Sequence, residues 1–247
     1  MKTLFILLFV AFVFIIYTAF ILLFPIIYSA NLYKTISTKN TEKYYLEINS
    51  SQSKLLRVAV IGDSTAIGQG TSSVQESFSY QYLVQNSKFQ DYKIEYTNYA
   101  VSGVRIKEVI DKQLVFEPVD LIFVSIGAND VTQMTSQNDF QNSVATLTGK
   151  LQTLAKNVIW INIPDFVTVP AFLPPLNYLA SHRTQSFDKI IQNTTSKTSQ
   201  INLIDVYNLA REPFRINPDK YFSKDKFHPS KDGYKIWVDL IGNSAKD

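Results

Sequence analysis

Val119-Asp120-Leu121-Ile122-Phe123-Val124-Ser125-Ile126 is apolar almost without interruption. A strand with one wet face alternates apolar and polar residues. A run apolar at nearly every position fits a strand covered on both faces, as in a parallel sheet. Outward from it the pattern repeats. Residues 55–61, 93–98, 157–163 and 201–206 read as further strands, and residues 75–86, 104–114, 140–154, 183–195 and 233–241 carry helical spacing. The clearest helix places Phe140, Val144, Leu147, Leu151 and Leu154 on one face. Strands alternating with helices imply βαβ units, hence an α/β fold with a mostly parallel sheet and helices on both faces. Ligands of such sheets bind outside the carboxyl ends of the strands. Ser64, Gly103, Asn129 and Pro164 all fall just past predicted strand ends, so one rim is expected to collect them.

The amino-terminal part reads differently. Residues 3–30, TLFILLFVAFVFIIYTAFILLFPIIYSA, exceed the roughly 20 apolar residues that cross a hydrocarbon core. The competing reading is a cleaved signal peptide, whose apolar region would be about 7–15 residues with a small-x-small cleavage site. Tyr28 two positions before Ala30 fits that poorly. Residues 1–33 are therefore expected to be a membrane anchor, 34–54 a polar tether with Tyr44-Tyr45-Leu46 as a short ordered piece, and 55–247 the α/β domain. Lys2 precedes the run and Lys34, Lys39 and Lys43 follow it, so positive charge does not set the orientation. An extracytoplasmic domain is expected because a short amino terminus before a first hydrophobic helix commonly acts as a signal-anchor.

Composition narrows the chemistry. The chain has 247 residues, a net charge of +3 and no cysteine. That excludes disulfides, thiolate metal sites and a cysteine nucleophile. Lys and Arg are scattered, with no basic stripe carrying interleaved aromatics, so nucleic acid is not an expected partner. With two distant histidines and no cysteine, no metal site is expected. Gly68-Gln69-Gly70 lacks the Lys of a phosphate-binding loop and the third Gly of a dinucleotide fingerprint, since Ser73 stands there.

Ile61-Gly62-Asp63-Ser64 puts a serine at the end of a buried strand. A serine hydroxyl is a weak nucleophile and needs a base within hydrogen-bond reach. His228 has Asp225 three residues earlier, a spacing that lets a carboxylate fix the imidazole tautomer. His182 has no such partner and reads as a surface or capping residue. An oxyanion needs fixed donors; the candidates are the Ser64 N–H, the Gly103 N–H and the Asn129 amide. Each feature alone has a bland reading as turn, cap or chance tripeptide; their combination carries the functional one. Asp63 and Asp130 are expected to shape the surrounding loops.

The four pieces, Gly62-Asp63-Ser64, Gly103, Gly127-Ala128-Asn129-Asp130 and Asp225-Lys226-Phe227-His228, resemble in order and spacing the SGNH hydrolases, also called GDSL-type esterases and lipases, over about residues 55–243. The resemblance implies a flavodoxin-like three-layer α/β/α sandwich with a five-stranded parallel sheet. It implies hydrolysis of carboxylic esters or thioesters by Ser64, Asp225 and His228, with Ser64, Gly103 and Asn129 as oxyanion hole and with no cofactor. Thr65 stands where the family usually has Leu, a change expected to touch packing more than chemistry.

Two substrate readings stay open: a lipid or acyl ester, and an O-acetylated envelope polysaccharide. The apolar stretch 166–179, FVTVPAFLPPLNYL, would line an acyl pocket, lie on a bilayer, or simply pack as a surface connection. A reading of a different kind, a non-catalytic binding domain on a membrane tether, is opposed by the intact Ser64, Asp225 and His228.

Overall fold

A computed structural model describes residues 2–36 and 43–244. Helix α1 spans Lys2–Ile36 and contains the segment Phe5–Pro25, which is long and apolar enough to cross a membrane. Six strands follow: β1 Tyr44–Ile48, β2 Lys54–Gly62, β3 Tyr92–Asn98, β4 Val119–Ser125, β5 Ala155–Ile161 and β6 Ile201–Ile204. Between and after them lie α2 Ser64–Ile67, α3 Phe78–Gln85, α4 Ile106–Lys112, α5 Ala128–Thr132, α6 Gln137–Leu154, α7 Leu176–Thr195, α8 Val206–Leu209, α9 Arg211–Ile216, α10 Pro218–Tyr221 and α11 Lys231–Ser244.

The sheet order is β1-β3-β2-β4-β5-β6, with β1 antiparallel to β3 and every other pair parallel. The expected five parallel strands are present, and a sixth, antiparallel strand extends the edge. That strand comes from the stretch expected to be a tether. Tyr44, Leu46 and Ile48 turn inward while Tyr45 and Glu47 face solvent. Five alternating residues between polar flanks give a weak periodicity, and pairing with β3 supplies the order that local pattern lacks. Residues 37–42 of the expected tether lie outside the described residues.

The core forms on both faces of the sheet. Phe123 of β4 meets Phe78 and Tyr82 of α3 edge-on, and Phe78 contacts Trp237 of α11. Alternation along the strand turns Ile122 and Val124, both fully buried, to the opposite face. There α6 packs against α4 and α7, and Phe140 stacks on Phe187 at 3.8 Å. Some boundaries differ from the sequence reading. The helix expected over 75–86 is broken by Ser77, whose extended backbone caps α3. Helix α7 starts at Leu176 rather than at residue 183, so the end of the apolar stretch 166–179 forms its first turn. The short helices α8 to α10 leave too brief a periodic signal to be read.

Strand order reverses direction between β2 and β4, with β3 on one side and β5 and β6 on the other. A crevice opens at such a switch point, beyond the carboxyl ends of the two strands. Gly62 pairs with Ser125 across it. The segments leaving β2 and β4, which carry Ser64 and Asn129, therefore start side by side.

Candidate active site

The turn after β2 is built around a residue without a side chain. Gly62 has φ +137°, and a Cβ there would overlap the Ser125 carbonyl oxygen. Its backbone is held by one side chain: Gly62 N–H donates to Gln113 Oε1 at 2.8 Å, and Gln113 Nε2 donates to Gly62 O at 2.9 Å. Asp63 then caps α2, accepting from Thr65 N–H at 2.9 Å and from the Thr65 hydroxyl at 2.8 Å. The Thr65 hydroxyl also lies 2.7 Å from Ser125 Oγ. The residue expected to matter for packing thus acts as a hydrogen-bonding link between β2 and β4, because its hydroxyl faces two polar neighbours. Burial pushes the Asp63 carboxyl up, opposed by these Thr65 bonds, by His228 and by the Asn129 amide.

Ser64, 6 % exposed, opens α2. Its Oγ lies 2.8 Å from His228 Nε2, across 164 positions of sequence. His228 Nδ1 lies 2.7 Å from Asp225 Oδ2. The other oxygen, Asp225 Oδ1, accepts from the N–H groups of Phe227 and His228, both at 2.9 Å, and from Ser223 Oγ at 2.8 Å. One carboxylate therefore folds the loop and faces the ring. Burial favours its neutral form, but His228 and the backbone donors outweigh that and hold Asp225 well below the usual carboxylate range. With Nδ1–H assigned to the carboxylate, Nε2 is left as an acceptor for the serine hydroxyl.

Aromatic packing backs the same loop. The Phe227 ring stands edge-on to His228 at 4.9 Å and is met by Phe166 and Phe172 at 6.3 and 6.0 Å. Ala171 N–H donates to Lys226 O at 3.0 Å. The stretch 166–179 thus packs as a buttress of the histidine loop. A cavity of about 40 Å³ lies between them, with Thr65, Ala128, Phe166, Val169 and Phe227 in its walls. Thr65 and Phe227, next in sequence to Ser64 and His228, place it behind the candidate reacting residues.

Gly103 lies in the loop after β3 with φ +81° and open space where a Cβ would be. Its carbonyl accepts from Gln133 Nε2 at 2.9 Å. Asn129, buried in the first turn of α5, points its Nδ2 at Asp63 Oδ2, 3.4 Å away. The next residue, Asp130, accepts from Ile106 N–H at 3.0 Å and so caps α4. Burial, with Asp63 nearby, pushes Asp130 up to about 6 against the pull of Ile106 N–H and Arg105. Through Asp130 and Gln133, the α5 segment that carries Asn129 also grips the Gly103 loop at two points. His182 is exposed on α7.

A model of the GDSL-like lipase/acylhydrolase family matches residues 60–236, most of the chain. The protein belongs to that family. A GDSL-like esterase of Mycobacterium tuberculosis is 26% identical over 196 residues, which are 78% of this chain and 62% of that protein's length. Among solved structures, a lipase from a goat rumen metagenome is similar with a TM-score of 0.60 and 19% identity, covering 76% of this chain and 97% of its own. An acetyl xylan esterase from Geobacillus stearothermophilus gives 0.58 and 15%, covering 78% and 95%. At these identities the two structures establish the shared fold.

In this GDSL-like chain, sequence reasoning missed three residues that organise the rim. Gln113 and Gln133 act over long distances from positions that carry no local signal. Asn162, just past β5, accepts from Val206 and Tyr207 N–H at 2.7 and 3.0 Å and donates to Asp188 at 2.7 Å, joining the ends of β5 and β6 to α7. A polar side chain immediately after an apolar strand run, as at Asp63 and Asn129, was the available cue.

Proposed function

We propose that this family member is a serine esterase, anchored to a membrane through α1, in which Ser64 is the nucleophile. His228 removes the Ser64 hydroxyl proton while Oγ bonds to the acyl carbon and the carbonyl π electrons move onto oxygen. The Ser64 and Gly103 N–H groups and the Asn129 amide donate to that oxyanion. Collapse breaks the bond to the alcohol oxygen, which takes the proton from His228. Water then gives a proton to His228 as it attacks the acyl-serine; collapse of that adduct breaks the bond to Ser64 Oγ, which takes the proton back from His228 as the acid leaves. Asp225 holds the ring orientation and offsets the imidazolium charge.

The observation that carries this reading is the continuous chain Asp225–His228–Ser64, with links of 2.7 and 2.8 Å. A tethered binding domain would not require it. The test is turnover of p-nitrophenyl butyrate together with labelling by a fluorophosphonate probe. Ser64→Ala is expected to abolish both; turnover or labelling that survives the substitution overturns the assignment.

For the substrate we favour a carboxylic ester carried by a lipid, in keeping with the apolar α1. The second reading, an O-acetyl ester on envelope polysaccharide, is supported by the likeness to an acetyl xylan esterase. A panel of p-nitrophenyl esters of rising chain length, run beside acetylated xylo-oligosaccharide, separates them: preference for the acetylated sugar removes the lipid reading. The domain is assigned to the extracytoplasmic side, which protease protection of membrane vesicles would check.

A further inference from the structure

The direction of β1 decides where the apolar helix is attached. Because β1 runs antiparallel to β3, its first residue, Tyr44, pairs with Asn98, the last residue of β3. The chain coming from α1 therefore enters the domain at the carboxyl ends of the strands, the rim that holds Ser64. Lys43 sits over the Tyr99 ring at 4.5 Å, four positions before Gly103. Had β1 been parallel to β3, the chain would have entered at the opposite end of the sheet.

The connection is also short. Seven residues separate Ile36, the end of α1, from Tyr44. Fully extended they reach about 24 Å, and the eleven helical residues after Pro25 add about 16 Å, together about the 40 Å width of a domain of some 200 residues. With α1 in a bilayer, the rim is thus the tethered end of the domain and the amino-terminal ends of the strands are the far end.

The rim is dressed for such a surface. Met134, Tyr178 and Leu179, which follow β4 and β5, are 72%, 62% and 65% exposed. Arg183 of α7 donates to the Thr135 carbonyl, so the two segments share one side of the crevice. Beside the Asp225 loop a groove of about 680 Å³ carries three lysines, Lys220, Lys224 and Lys226, with Asp219 and Asp225. Three lysines against two aspartates leave the groove with a small positive balance. Apolar side chains beside lysines suit the boundary between acyl chains and anionic headgroups.

We propose that the catalytic rim docks on the surface of the membrane that holds α1, and that the ester it cleaves is presented from that anionic lipid surface. The inference rests on Ser64 marking the reactive rim, and its test is independent of that assignment. The chain has no cysteine, so single probes can be placed without background. Full-length Met134→Cys and Val115→Cys chains, each labelled with bimane, are reconstituted in phosphatidylcholine–phosphatidylglycerol vesicles containing a spin-labelled lipid. Val115, 71% exposed, precedes β4 at the far end of the sheet. Quenching at least threefold stronger at position 134 is expected. Equal quenching, stronger quenching at 115, or none at either overturns the proposal. Inserting 30 Gly/Ser residues after residue 39 is expected to lower hydrolysis of a fluorogenic phosphatidylglycerol in the same vesicles severalfold with p-nitrophenyl butyrate turnover unchanged; undiminished lipid hydrolysis overturns it. If Ser64 were not the nucleophile, Ser64→Ala would keep turnover while the quenching pattern stood.

Discussion

Asp225 uses its two oxygens for different tasks, one for the backbone of its own loop and one for the His228 ring. Asp225→Asn keeps the size but places an amide where a carboxylate met Nδ1–H. It is expected to lower kcat for p-nitrophenyl butyrate by roughly 10³-fold with KM little changed. Because its folded pKa is depressed, the carboxylate is ionised throughout mild acid. Its contribution to stability is complete above the unfolded value of about 4 and is lost only as pH falls towards the lower folded value. In the proposed mechanism Asn129 is one of the oxyanion donors, and Asn129→Ala is expected to reduce kcat by about 10²-fold. The histidine pairing was legible because Asp225 and His228 are three residues apart and their loop is local. That Asn129 faces Asp63 was not, since the two stand 66 positions apart.

Elements here are held by side chains acting in place of strand or helix partners. The Gln113 amide, 2% exposed, satisfies both backbone groups of Gly62. Gln113→Leu keeps much of the volume and leaves the buried Gly62 N–H unpaired, while Gly62 O keeps the Val101 N–H at 3.1 Å. At about 1–3 kcal/mol for such a group, the loss is expected to be about 1–3 kcal/mol in urea unfolding. Helix α5 has a comparable role towards the Gly103 loop. Gln133→Ala frees the Gly103 carbonyl and is expected to lower kcat about tenfold, whereas Gln133→Glu, which cannot donate there when ionised, should not restore it. The loss is expected in kcat with KM and melting temperature little changed, whereas a structural defect alone would lower the melting temperature. Neither glutamine announced itself, because a lone polar residue at a helix end normally reads as a cap or a solvated side chain.

At the scale of the whole molecule, buried carboxylates tie stability to pH. Burial pushes Asp130 and Asp188 up to about 6, with Asp63 and Asp205 respectively adding to the rise. These raised groups hold protons in the folded state that the unfolded chain releases between about pH 4 and 6. Their contribution to stability therefore falls as pH rises through that window and is flat above it, opposite in sign to Asp225. Asp130→Asn, whose side-chain oxygen still accepts from Ile106 N–H, is expected to be about 1–3 kcal/mol more stable than the parent at pH 7.5 and nearly equal at pH 4. Urea unfolding at the two pH values checks this.

The sequence by itself determined the fold class and the residues of the candidate site. Buried parallel strands are apolar at almost every position, as at 119–126, and a βαβ alternation allows few arrangements. Ser64, Gly103 and Asn129 each sit just past a strand end, so their placement on one rim followed from chain order. The tertiary structure decided what local pattern does not encode. The edge strand at 44–48 exists because β3 offers it backbone partners, and its antiparallel direction starts it at the rim that carries Ser64. The same holds for Gln113, Gln133 and the Thr65 hydroxyl: their partners lie 51, 30 and 60 positions away. Such contacts form only when the sheet has closed the distance, and no window of sequence contains both ends of them.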